Sequence, residues 1–118
     1  MRYMMLIYST EDESATSEDM RSVAAAHKAV MDETRQRGIF RGADPLQTSA
    51  TATTVRVQNG NTLVTDGPFA ETKEQLAGYY ILECQDLDEA LAWAAKIPTA
   101  CAGGAGCVEI RPVREFSQ

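Results

Sequence analysis

Positive charge, histidine and cysteine are all scarce in this chain, and each shortage closes off a class of function. Its 118 residues carry 11 Lys and Arg against 17 Asp and Glu, a formal net charge of -6, and the isoelectric point is about 4.7. An average field of that sign repels a phosphate backbone unless a local cationic patch intervenes. No run of Lys and Arg supplies one, so direct nucleic-acid binding is not expected. One histidine and three cysteines, Cys84, Cys101 and Cys107, do not have zinc-ligand spacing, and no acidic loop has the ligand spacing of a calcium site. No metal is expected. The odd cysteine count does not make a disulfide framework, and all three are read as reduced thiols. Cys101 and Cys107 flank a loop of small residues as an incidental pair rather than a redox couple. Walker, dinucleotide-binding, nucleophile-elbow and HExxH motifs are all lacking, so no cofactor is expected. The apolar run Met4-Met5-Leu6-Ile7 is far too short to span a membrane, and no signal-peptide pattern accompanies it. The expected address is cytoplasmic, with no membrane partner.

What the chain does have is the balance of a folded globular protein, 44% hydrophobic and 24% charged residues. Its length fits a single domain over residues 1–118. Residues 2–8 form a nearly continuous apolar run, the pattern of a strand buried on most of both faces. Ser17 followed by Glu18 and Asp19 reads as an N-cap with acids at the positive end of a helix dipole. Met20, Val23, Ala24, His27, Met31 and Thr34 then recur at spacings of three and four, predicting an apolar stripe that faces a sheet. Gly38, after Arg35-Gln36-Arg37, closes that helix.

Residues 52–58 and 62–65 flank Asn59-Gly60, a strong short-range hairpin signal. Residues 76–84 have strand composition, with Gly78 as a place where backbone or ligand approaches closely. Asp86 with Glu89 three residues on caps a second helix, whose apolar side is Leu87, Ala90, Leu91, Ala94 and Ile97, with Trp93 near its edge. Pro98 stops it. A Gly-rich loop leads to a last strand over residues 107–113. The order β, α, hairpin, β, α, β predicts an α+β ferredoxin-like sandwich with an added hairpin. One sheet face then lacks cover, so two subunits are expected to pack into a dimeric α/β barrel, a homodimer.

The segment Asp66-Gly67-Pro68-Phe69, followed by the charges Glu71, Lys73 and Glu74 and by Gly78-Tyr79-Tyr80, resembles the signature of the DGPF group of YCII-related proteins. The resemblance extends over residues 1–8, 51–57, 65–80, 86–95 and 108–113. It implies the dimeric barrel. It also implies that a first-helix histidine works in an active site: His27 resembles that histidine in placement. The aspartate proposed as its partner in the wider group falls by spacing on Gln36, which cannot titrate. Asp66 is the substitute that the signature loop offers.

Each candidate has two readings. His27 on an apolar stripe is either a core residue with one hydrogen-bond partner or a proton-transfer group working near neutral pH. Asp66 either closes its own turn or presents a carboxylate at a pocket mouth, held there by stiff Pro68 and apolar Phe69. Thr72 and Gln75 have capping-box spacing, so Glu71 and Lys73 are either solvated charges on a short helical turn or ligand contacts. Tyr79 and Tyr80 point to opposite faces of a strand, and Tyr79 is taken as the one that meets a ligand. The candidate site is therefore His27 and Asp66 as catalytic groups, with Phe69, Glu71, Lys73 and Tyr79 around a small-molecule ligand. The resemblance favours cofactor-free acid–base chemistry, isomerisation or elimination, on a small carbonyl or aromatic compound. The alternative it implies is a non-catalytic partner of a sigma factor of the extracytoplasmic-function type.

Overall fold

The computed structural model describes residues 1–11, 14–100 and 104–116. In chain order the elements are β1 (Arg2–Ser9), α1 (Ser17–Gln36), β2 (Phe40–Pro45), a 3-10 turn (Ser49–Thr51), β3 (Thr53–Gln58), β4 (Asn61–Asp66), β5 (Gln75–Glu83), α2 (Leu87–Ala94) and β6 (Gly106–Pro112). Cys101 lies outside the described residues. Cys84 is a buried free thiol and Cys107 an exposed one.

The main sheet is antiparallel, in the order β2-β5-β1-β6. One face of it alternates inward, with Tyr3, Met5 and Ile7 of β1 and Tyr80 and Leu82 of β5 buried against Val30 of α1 and Ala90 and Trp93 of α2. This is an α+β layout with two helices, compatible with a ferredoxin-like sandwich. The sheet is open and does not close on itself as a barrel. Among the described residues no helix is long and apolar enough to cross a membrane.

Four local expectations are corrected. The first is β2, which the sequence pattern did not predict: Gly42, Asp44 and Pro45 are poor strand formers. They are tolerated because β2 is an edge strand, bonded to β5 alone, with Pro45 at its end. The second is the cap of α1, which is Thr16 rather than Ser17. The Thr16 hydroxyl accepts from the Asp19 amide at 3.0 Å while the Asp19 carboxylate accepts from the Thr16 amide at 2.9 Å, a reciprocal box that needs an acid three residues on. The third is the turn at residues 72–75, which is not helical. Gln75 opens β5 instead, and its side-chain amide donates to the carbonyls of Ala70 and Thr72.

The fourth correction concerns the stripe of α1, which packs on the sheet only over its C-terminal half. Val30 and Thr34 are buried there, and the Thr34 hydroxyl donates to the Val30 carbonyl at 2.9 Å. Met20, at the other end, is 61% exposed. The apolar residues of that first half line a space rather than a packed core.

The β3–β4 hairpin forms a sheet of its own. Asn59 (φ 52°) and Gly60 (φ 79°) are both left-handed, as a two-residue hairpin turn requires. Nearly every residue of the arm is exposed. The arm accounts for a radius of gyration of 16.2 Å, where a compact chain of this length would give about 13–14 Å. At the arm's base Gly67 (φ 99°) donates its amide to the Ala52 carbonyl at 2.7 Å, and the Thr54 hydroxyl donates to the Gly67 carbonyl at 2.8 Å. The Asp-Gly-Pro-Phe segment is thus tied to the arm.

Candidate functional site

The lifted half of α1 leaves a pocket of about 410 Å³ between helix and sheet. That is within the range of small-molecule sites. Met20, Val23 and His27 form its helix wall. Ile7, Gly78 and Tyr80 form its floor, and Pro98, Thr99 and Ala100, just past α2, close one side. The lining is mainly apolar; among the described residues Asp44 is its one acidic residue, and neither Lys nor Arg contributes to it.

Gly78 has a geometric role in that floor. A Cβ there would lie 2.8 Å from the Asp44 carbonyl oxygen and 3.2 Å from the Pro45 Cα, so β2 approaches β5 this closely only over a glycine. Opposite Ile7 and Tyr8 the β1–β5 register slips, leaving Ala77 as an extra residue. Bulges of this kind bend a strand and occur next to active sites.

Inside the pocket His27 and Tyr80 form a pair. The His27 Nδ1 lies 2.8 Å from the Tyr80 hydroxyl, and that hydroxyl also donates to the main-chain carbonyl of His27 at 3.3 Å. A phenol has one hydrogen. If it goes to the carbonyl, the phenol oxygen accepts from Nδ1–H, and both contacts are satisfied at once. The same assignment leaves Nε2 unprotonated, and Nε2 has no hydrogen-bond partner among the described residues. Burial disfavours charge on both members. It lowers the His27 pKa below its usual 6.5 and pushes Tyr80 up to about 12.

The other residues singled out in the sequence sit elsewhere. Asp66 is exposed at the end of β4, opposite Thr53 in the arm, and does not line the His27 pocket. Phe69 is 80% exposed. Glu71 and Lys73 are also exposed and outside the pocket lining. Tyr79 points to the opposite sheet face from Tyr80 and donates to the Asp44 carboxylate at 2.5 Å. That bond raises the Tyr79 pKa. Gln36, where spacing set the aspartate of the wider group, is exposed on the last turn of α1.

Tyr80, Ser9, Asp44 and Thr99 are among the pocket residues that sequence reasoning missed. A signal for Tyr80 was available. Glu83 has the same parity as Tyr79 along β5, and a carboxylate marks the face that is not the core; Tyr80, Leu82 and Cys84 share the other parity.

The structure is a four-stranded antiparallel sheet with a histidine pocket under its first helix, and comparison with known proteins gives the family. The model of the YCII-related domain matches residues 1–117. The chain belongs to the YCII-related family. A curated relative is the uncharacterized protein R00369 of Rhizobium meliloti (strain 1021), 39% identical over 121 residues that cover 96% of this chain and 92% of that protein.

Proposed function

We propose that this protein is a small cofactor-free enzyme that moves a proton on a neutral carbonyl or aromatic compound, with His27 Nε2 as the base. The observation that carries the reading is the His27–Tyr80 pair at 2.8 Å within an apolar pocket. Tyr80 and the His27 carbonyl hold the proton on Nδ1, leaving the Nε2 lone pair for substrate. A general base so placed contributes roughly 10²–10⁴-fold to a rate. Tyr80 is a positioning residue in this scheme. After the transfer, the imidazolium retains its Nδ1–H bond to the phenol oxygen and returns the proton from Nε2 to another carbon or to a leaving group. Among the described residues the lining has neither Lys nor Arg, and its one acidic residue is Asp44, so an anion would find no counter-charge and a neutral substrate is favoured.

The same reading assigns the chain to the DGPF group, on Asp66-Gly67-Pro68-Phe69, and to a homodimer of the dimeric α/β-barrel kind. Support for the dimer comes from two apolar surfaces. Met4, Leu6, Tyr79 and Ile81 are half-buried on the helix-free face of the main sheet. Val55, Val57 and Val64 share one face of the arm at 57%, 69% and 65% exposure. A lone two-stranded ribbon is marginal in water and gains stability when such a face is covered. Dimerisation of this kind is the route by which Asp66 and Phe69 would meet a pocket. A monomer mass by sedimentation at micromolar concentration would remove that part of the reading.

The chemistry is tested by ¹⁵N NMR of the single histidine, together with deuterium exchange. The expected spectrum shows the Nδ1–H tautomer, titrating below 6.5. The linkage sign follows: stability associated with the neutral ring is complete above 6.5 and falls as pH drops through the lowered value. In D₂O, wild-type protein should exchange the acidic carbon protons of phenylacetone or an unsaturated five-membered lactone, and His27→Gln should not. An Nε2–H tautomer, or exchange that survives His27→Gln, sinks the proposal. Binding without exchange would turn the reading toward the non-catalytic alternative, a ligand-responsive partner of a sigma factor.

A further inference from the structure

A second cavity, of about 280 Å³, lies beside the first. Ser9 and Ala77 line both, so the two adjoin at the β1–β5 register slip. Their chemistry differs. The first is apolar around His27. The second is walled by Thr10, Glu11, Gln47, Thr48 and Gln75. Among the described residues Glu11 is its sole titratable lining group, and neither Lys nor Arg lines either cavity. The Glu11 carboxylate accepts from the Ser49 amide at 3.1 Å to each oxygen, which fixes it to the 3-10 turn. An ionised carboxylate has about four acceptor positions, so one amide leaves capacity for a ligand donor. At the junction, the Ser9 hydroxyl has no hydrogen-bond partner among the described residues.

We infer that the ligand is bipartite, an apolar ring in the His27 pocket joined to a short arm that crosses Ser9 and Ala77 and ends in a cationic amine beside Glu11. The inference rests on reading the His27 pocket as a ligand site and adds the chemistry of the remainder of the ligand. The adjoining cavities set the two-part shape. The Glu11 carboxylate, with no Lys or Arg among the described residues that line the cavity, sets the sign of the arm. A carboxylate or phosphate arm would meet repulsion and no counter-ion. An ammonium gains a charge-assisted hydrogen bond.

Three probes test it on the intact chain: benzyl alcohol for the ring alone, phenylpropylamine for ring plus cationic arm, and phenylpropionate for ring plus anionic arm. Binding is followed by the His27 imidazole signals for the first cavity and by the backbone amides of Gln47, Thr48 and Leu76 for the second. The amine should move both sets and bind roughly tenfold tighter than the propionate, the scale set by a partly exposed ion pair for the amine and a charge repulsion for the propionate. Benzyl alcohol should move His27 alone. In Glu11→Gln the preference for the amine should vanish, while benzyl alcohol binding stays unchanged and certifies the fold. Equal affinity for amine and propionate, or an amine that leaves the second set unmoved, overturns the bipartite ligand and leaves the His27 pocket standing. If none of the three probes moves His27, the pocket reading falls and this inference falls with it.

Discussion

Tyr79 and Tyr80 are neighbours in sequence, yet they occupy opposite faces of one strand and differ in everything they touch. Tyr80 is buried on the helix side, where its hydroxyl meets His27. Tyr79 lies on the other face, where its hydroxyl meets the Asp44 carboxylate. Both phenols have raised pKa values, but for different reasons: burial for Tyr80, and for Tyr79 the hydrogen bond to a carboxylate that would repel a phenolate. The lesson is that a perturbed pKa does not identify a site. The apolar pocket and the lone nitrogen Nε2 distinguish the Tyr80 pair. The Tyr79 pair is a cross-strand hydrogen bond between β2 and β5.

Gly78 sets both environments, and replacing it should have the largest effect. In Gly78→Ala the new methyl group meets the backbone of Asp44 and Pro45, which cannot rotate away as a side chain would. Relief requires β2 to move off β5. We expect a loss on the order of 3 kcal/mol in chemical denaturation, the upper part of the range for overpacking. The two tyrosines should respond differently. Tyr79 loses Asp44 when β2 shifts, while the contact between Tyr80 and α1 does not involve β2. A variant as stable as the wild type would mean that β2 is loosely held.

Removing each phenol oxygen in turn sharpens the contrast at smaller scale. Tyr80→Phe leaves the His27 Nδ1 without its partner in a half-buried setting, at a cost of about 1–2 kcal/mol. The His27 tautomer ratio should move toward that of free imidazole, a readout that a packing role alone would not shift. Tyr79→Phe removes an exposed hydrogen bond and should change stability by no more than about 0.5 kcal/mol. Equal losses in the two variants would abolish the distinction between a site pair and a strand pair.

Much of this frame was legible in the sequence, and the reasons for the exceptions are physical. Asn59-Gly60 announces its turn because two left-handed residues in succession are costly for most side chains. Asp86 announces α2 because the Glu89 amide three residues on needs an acceptor, and it finds the Asp86 carboxylate at 2.9 Å. The stripe of α1 was equally visible, but periodicity reports only which face is apolar. A face that lines a pocket and one that packs in a core look alike, so Val23 and Met20 gave no hint that the helix lifts. β2 was hidden because an edge strand needs no strong propensity when β5 supplies its hydrogen bonds. Asp66 was conspicuous because Asp-Gly-Pro is strong turn chemistry, and within one chain turn-making is the role its loop displays.

Alkaline titration separates the two tyrosines with the least disturbance to the protein. Followed by phenolate absorbance, Tyr80 should ionise at about 12. Tyr79 should ionise above its usual 10.0, and in Asp44→Asn it should return toward that value because the charge is lost and the Asn amide oxygen offers at most a neutral hydrogen bond. Tyr80 should not respond to that substitution, since its shift comes from burial. The effect on folding has a definite sign. A phenol whose pKa is higher in the folded than in the unfolded chain favours folding below pH 10.0, and that contribution is lost as pH rises from 10.0 toward 12. The part of the loss that belongs to Tyr80 should persist in Asp44→Asn and disappear in Tyr80→Phe, where only the Tyr79 part remains. If Asp44→Asn shifted the Tyr80 midpoint, the two sheet faces would be electrostatically coupled, and His27 would have a carboxylate acting on it through the strand.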